Sequence, residues 1–132
     1  MNGTTTPTAD ARTALHLAPN ERDFILTEMR QLLRAVHGVV AGESDPDQTR
    51  GYAQAAAAAR SAGMVMAVDD NPRLMLKLPF PMKQLGMSVH RDFEELADTI
   101  THGATSQDIL QHLLKITNRC LACHEMYQLK ER

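Results

Sequence analysis

Tryptophan is absent and aromatic residues make up only 4% of the chain, although 43% of it is hydrophobic. The core must therefore be built from aliphatic and thioether side chains, and eight methionines with abundant alanine suit closely packed helices. No charge sign dominates: the formal net charge is −2. A surface of that balance has neither the basic field that binds phosphates nor a polybasic membrane patch, so nucleic acid is not an expected partner. No apolar run approaches the roughly 18 residues that span a bilayer, and no membrane-spanning segment is expected. The opening Met1-Asn2-Gly3-Thr4-Thr5-Thr6-Pro7-Thr8 also lacks the basic and apolar regions of a signal peptide. At 132 residues one domain can bury a core without disulfides or a structural metal.

Cysteine is scarce too, but the two present are informative. Cys120-Leu121-Ala122-Cys123-His124 is a C-x-x-C-H string, the pattern of c-type haem attachment. Two thiols three residues apart on a helix face one way and can each form a thioether to a vinyl group of one porphyrin. The adjacent imidazole of His124 can then reach the iron as an axial ligand. A redox-active C-x-x-C would instead follow a strand and open a helix, whereas this pair sits late in a long helical run. A structural zinc site would need further Cys or His ligands, and no second cysteine pair exists. Covalent haem attachment takes place outside the bacterial cytoplasm, so a periplasmic protein whose leader has been removed is expected.

Along the chain, residues 1–19 read as a mobile N-terminal arm, with Leu15 and Leu17 able to tuck against the body, and 20–132 as one domain. A first helix starts at Asn20, with Asp23 in its first turn, and stops at Gly42. Its apolar stripe is Leu26, Met29, Leu33, Val36 and Val40, with Ile25, Leu32 and Val39 alongside. A second helix runs from about Asp47 towards Gly63 with Tyr52, Ala55, Ala56, Ala59 and Ala62 inward; its small side chains allow close approach of another helix, or of a second copy of the chain. A long connection follows, broken by Asp69-Asp70-Asn71-Pro72 and Pro79-Phe80-Pro81. The third helix starts near Pro81, carries Met82, Leu85, Val89, Phe93, Leu96 and Ile100, and ends at Gly103. Thr105 and Asp108 form a capping box for the fourth, whose stripe of Leu110, Leu113, Thr117, Cys120, His124 and Tyr127 runs into the haem-binding string. Four amphipathic helices with such connections predict an all-α, antiparallel four-helix bundle. In that arrangement Leu26, Met29 and His90 reach depths comparable to His124, and they are the candidates for the opposite face of a haem.

With the C-x-x-C-H string near its C-terminus, the following Tyr127, and the first-helix pattern from Arg22 through Val39-Val40-Ala41-Gly42, the chain resembles the class II cytochromes c, the cytochrome c′ family with its low-spin relatives. The resemblance covers roughly Asn20 to the end and is weak in the middle. It implies a left-handed four-helix bundle, one covalent haem c, a periplasmic location and frequent homodimerisation through the first two helices. It also implies a first-helix residue over the free face of the haem, apolar in gas-binding members and Met in electron-transferring ones. The matching position is Leu26, which favours an open iron; Met29 lies one turn further along and would present its thioether after a small shift of register. Gln128 stands where many members carry Arg.

Two functions follow. Ligation by His124 and Met29 would give an electron carrier acting with a redox partner protein, because a saturated iron keeps its geometry across the redox change. An open iron beneath Leu26 would give a binder of diatomic gases, NO or CO in preference to O₂, since an apolar wall offers bound O₂ no hydrogen bond. A catalytic haem needs a polar acid/base on that face, which His90 alone could supply; an enzyme is not expected and no catalytic residue is assigned. His16, His37, His102 and His112 are expected on the surface or on helix flanks. Met64, Met66, Met75 and Met82 are expected as soft packing around the porphyrin edge.

Overall fold

The computed structural model describes residues 9–67 and 71–131. In chain order these form β1 (Thr13–Leu17), α1 (Pro19–Glu43), α2 (Gln48–Ser61), α3 (Met64–Ala67), α4 (Pro72–Lys77), α5 (Phe80–Thr101), α6 (Ser106–Met126) and β2 (Tyr127–Glu131). The protein is mostly helical, with one small two-stranded sheet. Packing passes from α1 to α2, from α2 to α5 and from α5 to α6. Among the described residues no helix is long and apolar enough to cross a membrane.

The expected mobile arm needs correction. Its first eight residues lie outside the described chain, but Thr13–Leu17 is a strand, paired in parallel with β2 from Thr13 opposite Tyr127 to Leu17 opposite Glu131. Period-two alternation turns Leu15 and Leu17 inward, the latter 1% exposed. They form a cluster with Ile25 and Leu74, against which Met29, Met75, Met82, Tyr127 and Leu129 pack. Tyr127 therefore belongs to β2 and not to the stripe of the fourth helix.

Chain chemistry sets most helix ends. Pro19 occupies the first turn of α1, where no N–H is needed, and Glu21 reaches back to accept the Ala18 N–H at 2.9 Å, so the start is at Ala18 rather than Asn20. The same Glu21 carboxylate, buried, accepts from Lys77 Nζ at 2.8 Å and ties α1 to α4. Asp47 caps α2 through the Arg50 N–H. Thr105 and Asp108 exchange side-chain to backbone bonds of 3.0 and 3.1 Å, the capping box expected for α6. Gly103 closes α5 with φ +92°, a left-handed conformation that glycine adopts without strain. Within the expected long connection stand α3 and α4, the latter capped by the Asn71 side chain on Leu74 N–H at 3.3 Å; Asp69 and Asp70 lie outside the described residues.

The main core holds Val39, Ala55, Ala59, Val89, Phe93, Leu96, Ile100, Ile109, Leu113 and Ile116, so the inward faces expected of the second and third helices are present. In the first and fourth, Ile25, Val39 and Leu113 are buried as expected and Leu32, Val36 and Cys120 pack against the core, but part of each expected stripe faces outward. Leu33 is 68% and Leu110 62% exposed, while Ala35, Val39, Ile109 and Ile116 point inward. The cause in α1 is the close approach of α2. A Cβ on Gly42 would meet the Gly51 carbonyl oxygen and Ala55 N, and a Cβ on Gly51 would meet the Gly42 carbonyl oxygen. Gly42 thus lies inside α1 as a contact, not past its end as a stop. The alanine face of α2 is consumed within the chain by α1 and α5, which removes it as a surface for a second copy. Gly51→Ala should lower stability by about 1–2 kcal/mol, since a clash against fixed backbone outweighs a helix-propensity gain of about 1 kcal/mol. Urea unfolding with an unchanged midpoint would remove the close-contact account of this helix pair.

Candidate functional site

A cavity of about 590 Å³ opens at the end of the molecule where α1 and α5 begin and α6 finishes. Its size lies within the range of cofactor and ligand pockets. Leu26 and Met29 from α1, His90 from α5, Cys120, Cys123 and His124 from α6 and Tyr127 from β2 all line it. Every residue proposed from the sequence for the site is thus brought to one space. Met66, Met75 and Met82 line it as expected, together with Met87; Met64 does not.

The last turns of α6 place the two thiols on one face, and both are free and half-buried. Burial pushes the Cys120 thiol above its ordinary range; burial, then the neighbouring Cys120, does the same for Cys123. Protonated thiols at neutral pH are the opposite of the activated thiolate that a redox C-x-x-C needs. Among the described residues no group of three His, Cys, Asp or Glu side chains stands close enough to hold a metal ion.

Three ties fix the end of α6. Asp92, buried in α5, accepts from Arg119 Nε at 2.5 Å and faces Lys115 Nζ at 3.4 Å, locking α6 to α5 one residue before Cys120. Arg12 donates from Nη1 to the His124 carbonyl at 3.2 Å and to the Tyr127 carbonyl at 3.3 Å, a cation on the carbonyl end of the helix. Gln128 Nε2 returns a bond to the Arg12 carbonyl at 2.9 Å. Arg12 is itself held by Asp10, whose carboxyl falls to about 2 through the hydrogen bond with the guanidinium.

His90 is held by its Nδ1, which lies 2.8 Å from the Ala62 carbonyl at the end of α2; because a carbonyl only accepts, Nδ1 is the donor. His16, His37 and His102 are exposed and His112 is half-buried on the α5 side of α6, consistent with surface and flank positions. Arg12, Lys83 and Arg119 also line the cavity and were not singled out in the sequence. No local pattern marks them, because each reaches the cavity through tertiary packing.

Comparison with protein families, with curated proteins and with solved structures finds no match to this chain. In protein made without haem attachment, both thiols should react slowly with iodoacetamide at pH 8 and faster as the pH rises past the ordinary cysteine range, because their raised pKa keeps them protonated. Fast alkylation at pH 7 would restore the thiol-redox reading of Cys120 and Cys123.

Proposed function

We propose that this chain is a periplasmic c-type cytochrome that carries one haem on Cys120 and Cys123 and transfers electrons, with His124 and Met29 as axial ligands in an antiparallel four-helix bundle. The observation that carries the proposal is the convergence of Cys120, Cys123, His124, Leu26, Met29 and Tyr127 on one cavity of cofactor size. The donor set fits the group: two thiols for thioethers, an imidazole beside them, a thioether on another helix, and a lining rich in methionine that adapts to a flat apolar ring. Antiparallel order is supported by the contacts between helices. Gly42 lies against Gly51 while Gly38 lies against Ala58, and Asp92 meets Arg119 while Thr99 meets His112, so one number falls as the other rises. Glu43 at the end of α1 likewise accepts from Ser106 at the start of α6, at 2.8 Å.

Haem, when bound, supplies a one-electron couple at the iron. The chain's own residues orient and shield it. Arg12 and the Asp92–Arg119 pair hold the end of α6 and with it the backbone of His124. Met29 packs against the Leu15, Leu17, Ile25 and Leu74 cluster, so its thioether is offered from a supported position. Ile25, Leu26 and Leu32 give that side an apolar wall. Leu26 lines the same cavity and supports a second reading, a five-coordinate binder of NO or CO in which this side chain crowds the free face.

The test is the visible spectrum of the purified protein, ferric and ferrous, with and without CO. Electron transfer through Met29 predicts a low-spin ferrous form that ignores CO and a Met29→Ala variant that becomes high-spin. A wild-type ferrous protein that binds CO promptly would move the assignment to gas binding under Leu26. Replacing both Cys120 and Cys123 with Ala should release the pigment on denaturation; pigment retained by the double variant would overturn the attachment itself.

A further inference from the structure

We infer that the sides of α1 and α6 turned away from α2 and α5 form one docking surface for an acidic protein, which on the electron-transfer reading above is the redox partner. α1 packs on α2 through Gly38 and Gly42, which lie against Ala58 and Gly51. Val40 stands two residues from each glycine, about 200° round the helix, and so faces away from α2. Leu26, Leu33 and Val40 recur every seven residues along that side. In α6, Lys115 and Arg119 face Asp92 of α5. Leu121 stands two residues beyond Arg119 and faces away from α5, with Leu114 seven residues before it on the same side. The two helices are neighbours at both ends, since Glu43 accepts from Ser106 and since Leu26, Met29, Cys120 and His124 line one cavity. Between those ends α1 and α6 barely pack on one another, and the seam is apolar and open. Leu114 is 70% and Leu121 58% exposed, and Leu33, Val40 and Leu110 are exposed as well.

Charge selects the occupant. The protein carries a net charge of −2, yet no Asp or Glu occurs in residues 29–42 of α1 or 109–124 of α6. Arg30 and Arg34 stand exposed near Leu33. Arg30 donates to the neutral hydroxyl of Thr27, and among the described residues the side chain of Arg34 has no hydrogen bond or ion pair. The carboxylates gather elsewhere: Asp92, Glu94, Glu95 and Asp98 are all on α5. A second copy of the chain laid on this seam would set Arg30 and Arg34 against a wall without carboxylates, so the seam does not complement itself. A partner with carboxylates around an apolar centre meets both features, because the charge steers its approach and the leucines supply the dry contact. Five exposed aliphatic side chains and two cations suit a brief contact of the electron-transfer class, at the small end of interface size. Leu121 follows Cys120 directly in the chain, so the surface reaches a residue proposed to hold the haem, as a partner that exchanges electrons requires.

The experiment first titrates isotope-labelled protein with a small acidic blue-copper protein at low ionic strength and follows the amide shifts by NMR. The shifts should cluster on residues 30–40 and 110–121 and vanish in high salt. Electron transfer from the reduced holoprotein to the oxidised copper protein is then compared for wild type, Arg34→Glu and Arg91→Glu, which change the net charge equally; Arg91 is exposed on α5. Arg34→Glu should slow the second-order rate about tenfold and flatten its salt dependence, while Arg91→Glu stays within about twofold of wild type. Leu110→Ser/Leu114→Ser should weaken the complex and leave the salt dependence in place. Equal slowing by Arg34→Glu and Arg91→Glu, or shifts on other elements, would overturn the docking surface while leaving the haem reading intact. So would wild-type protein that sediments as a dimer with the seam amides protected, or that binds phosphatidylglycerol vesicles through those amides more tightly than it binds the copper protein. The expected shifts in protein that carries no covalent pigment would overturn the haem reading and keep the surface.

Discussion

An apolar cavity of about 590 Å³ in a 132-residue protein is the constraint that the rest of the structure has to meet. Empty, it would leave its lining without packing partners across the gap. Filled with water it would keep its methionines and leucines wet. Either way its walls cannot hold one another apart by packing across the gap, and they must be fixed from behind. The main core of α1, α2, α5 and α6 does this at the far end, and separate ties do it at the mouth. Glu21 with Lys77 holds the start of α1 to α4, Asp92 with Arg119 holds α6 to α5, and β1 paired with β2 closes a side. Each tie pairs charged or backbone groups, which keep direction where apolar contacts alone would let the walls collapse.

That division explains what was legible in the sequence. Cys120, Cys123 and His124 were found from spacing and Leu26 and Met29 from helical depth, and all five line the one cavity. The strands escaped because Thr13–Leu17 has only two inward apolar residues and its partner lies more than a hundred positions away, so no local signal pairs them. Yet the alternation of Leu15 and Leu17 was visible, and it is what places both in the second hydrophobic cluster.

The outward turn of Leu33 and Val40 in α1 escaped for a different reason. Counting large hydrophobes picks Leu33 and Val40, but a helix pair that packs through Gly42 and Gly51 chooses its smallest residues for the interface. Large side chains are then turned outward by exclusion, and Leu33 stands exposed while Ala35 is buried. In α6 the same error followed from preferring Leu110 and Thr117 to Ile109 and Ile116, where the branched residues fill the core.

The phase of α1 also bears on the choice between the two functions. Leu26 and Met29 are three residues apart, which on a helix is about 4.5 Å along the axis and about 60° short of a full turn. Both line the cavity, so exchanging one for the other at a given point would take a rotation of α1 by about 60° together with a shift of about 4.5 Å along its axis. That rotation is restrained at both ends of the helix. At the mouth Glu21 is fixed by Ala18 and Lys77, and at the far end Gly42 sits against the backbone of Gly51, where no larger residue fits. The side chain that α1 presents to the cavity is in this way tied to a glycine contact about four turns away from Leu26, and not only to its immediate neighbours.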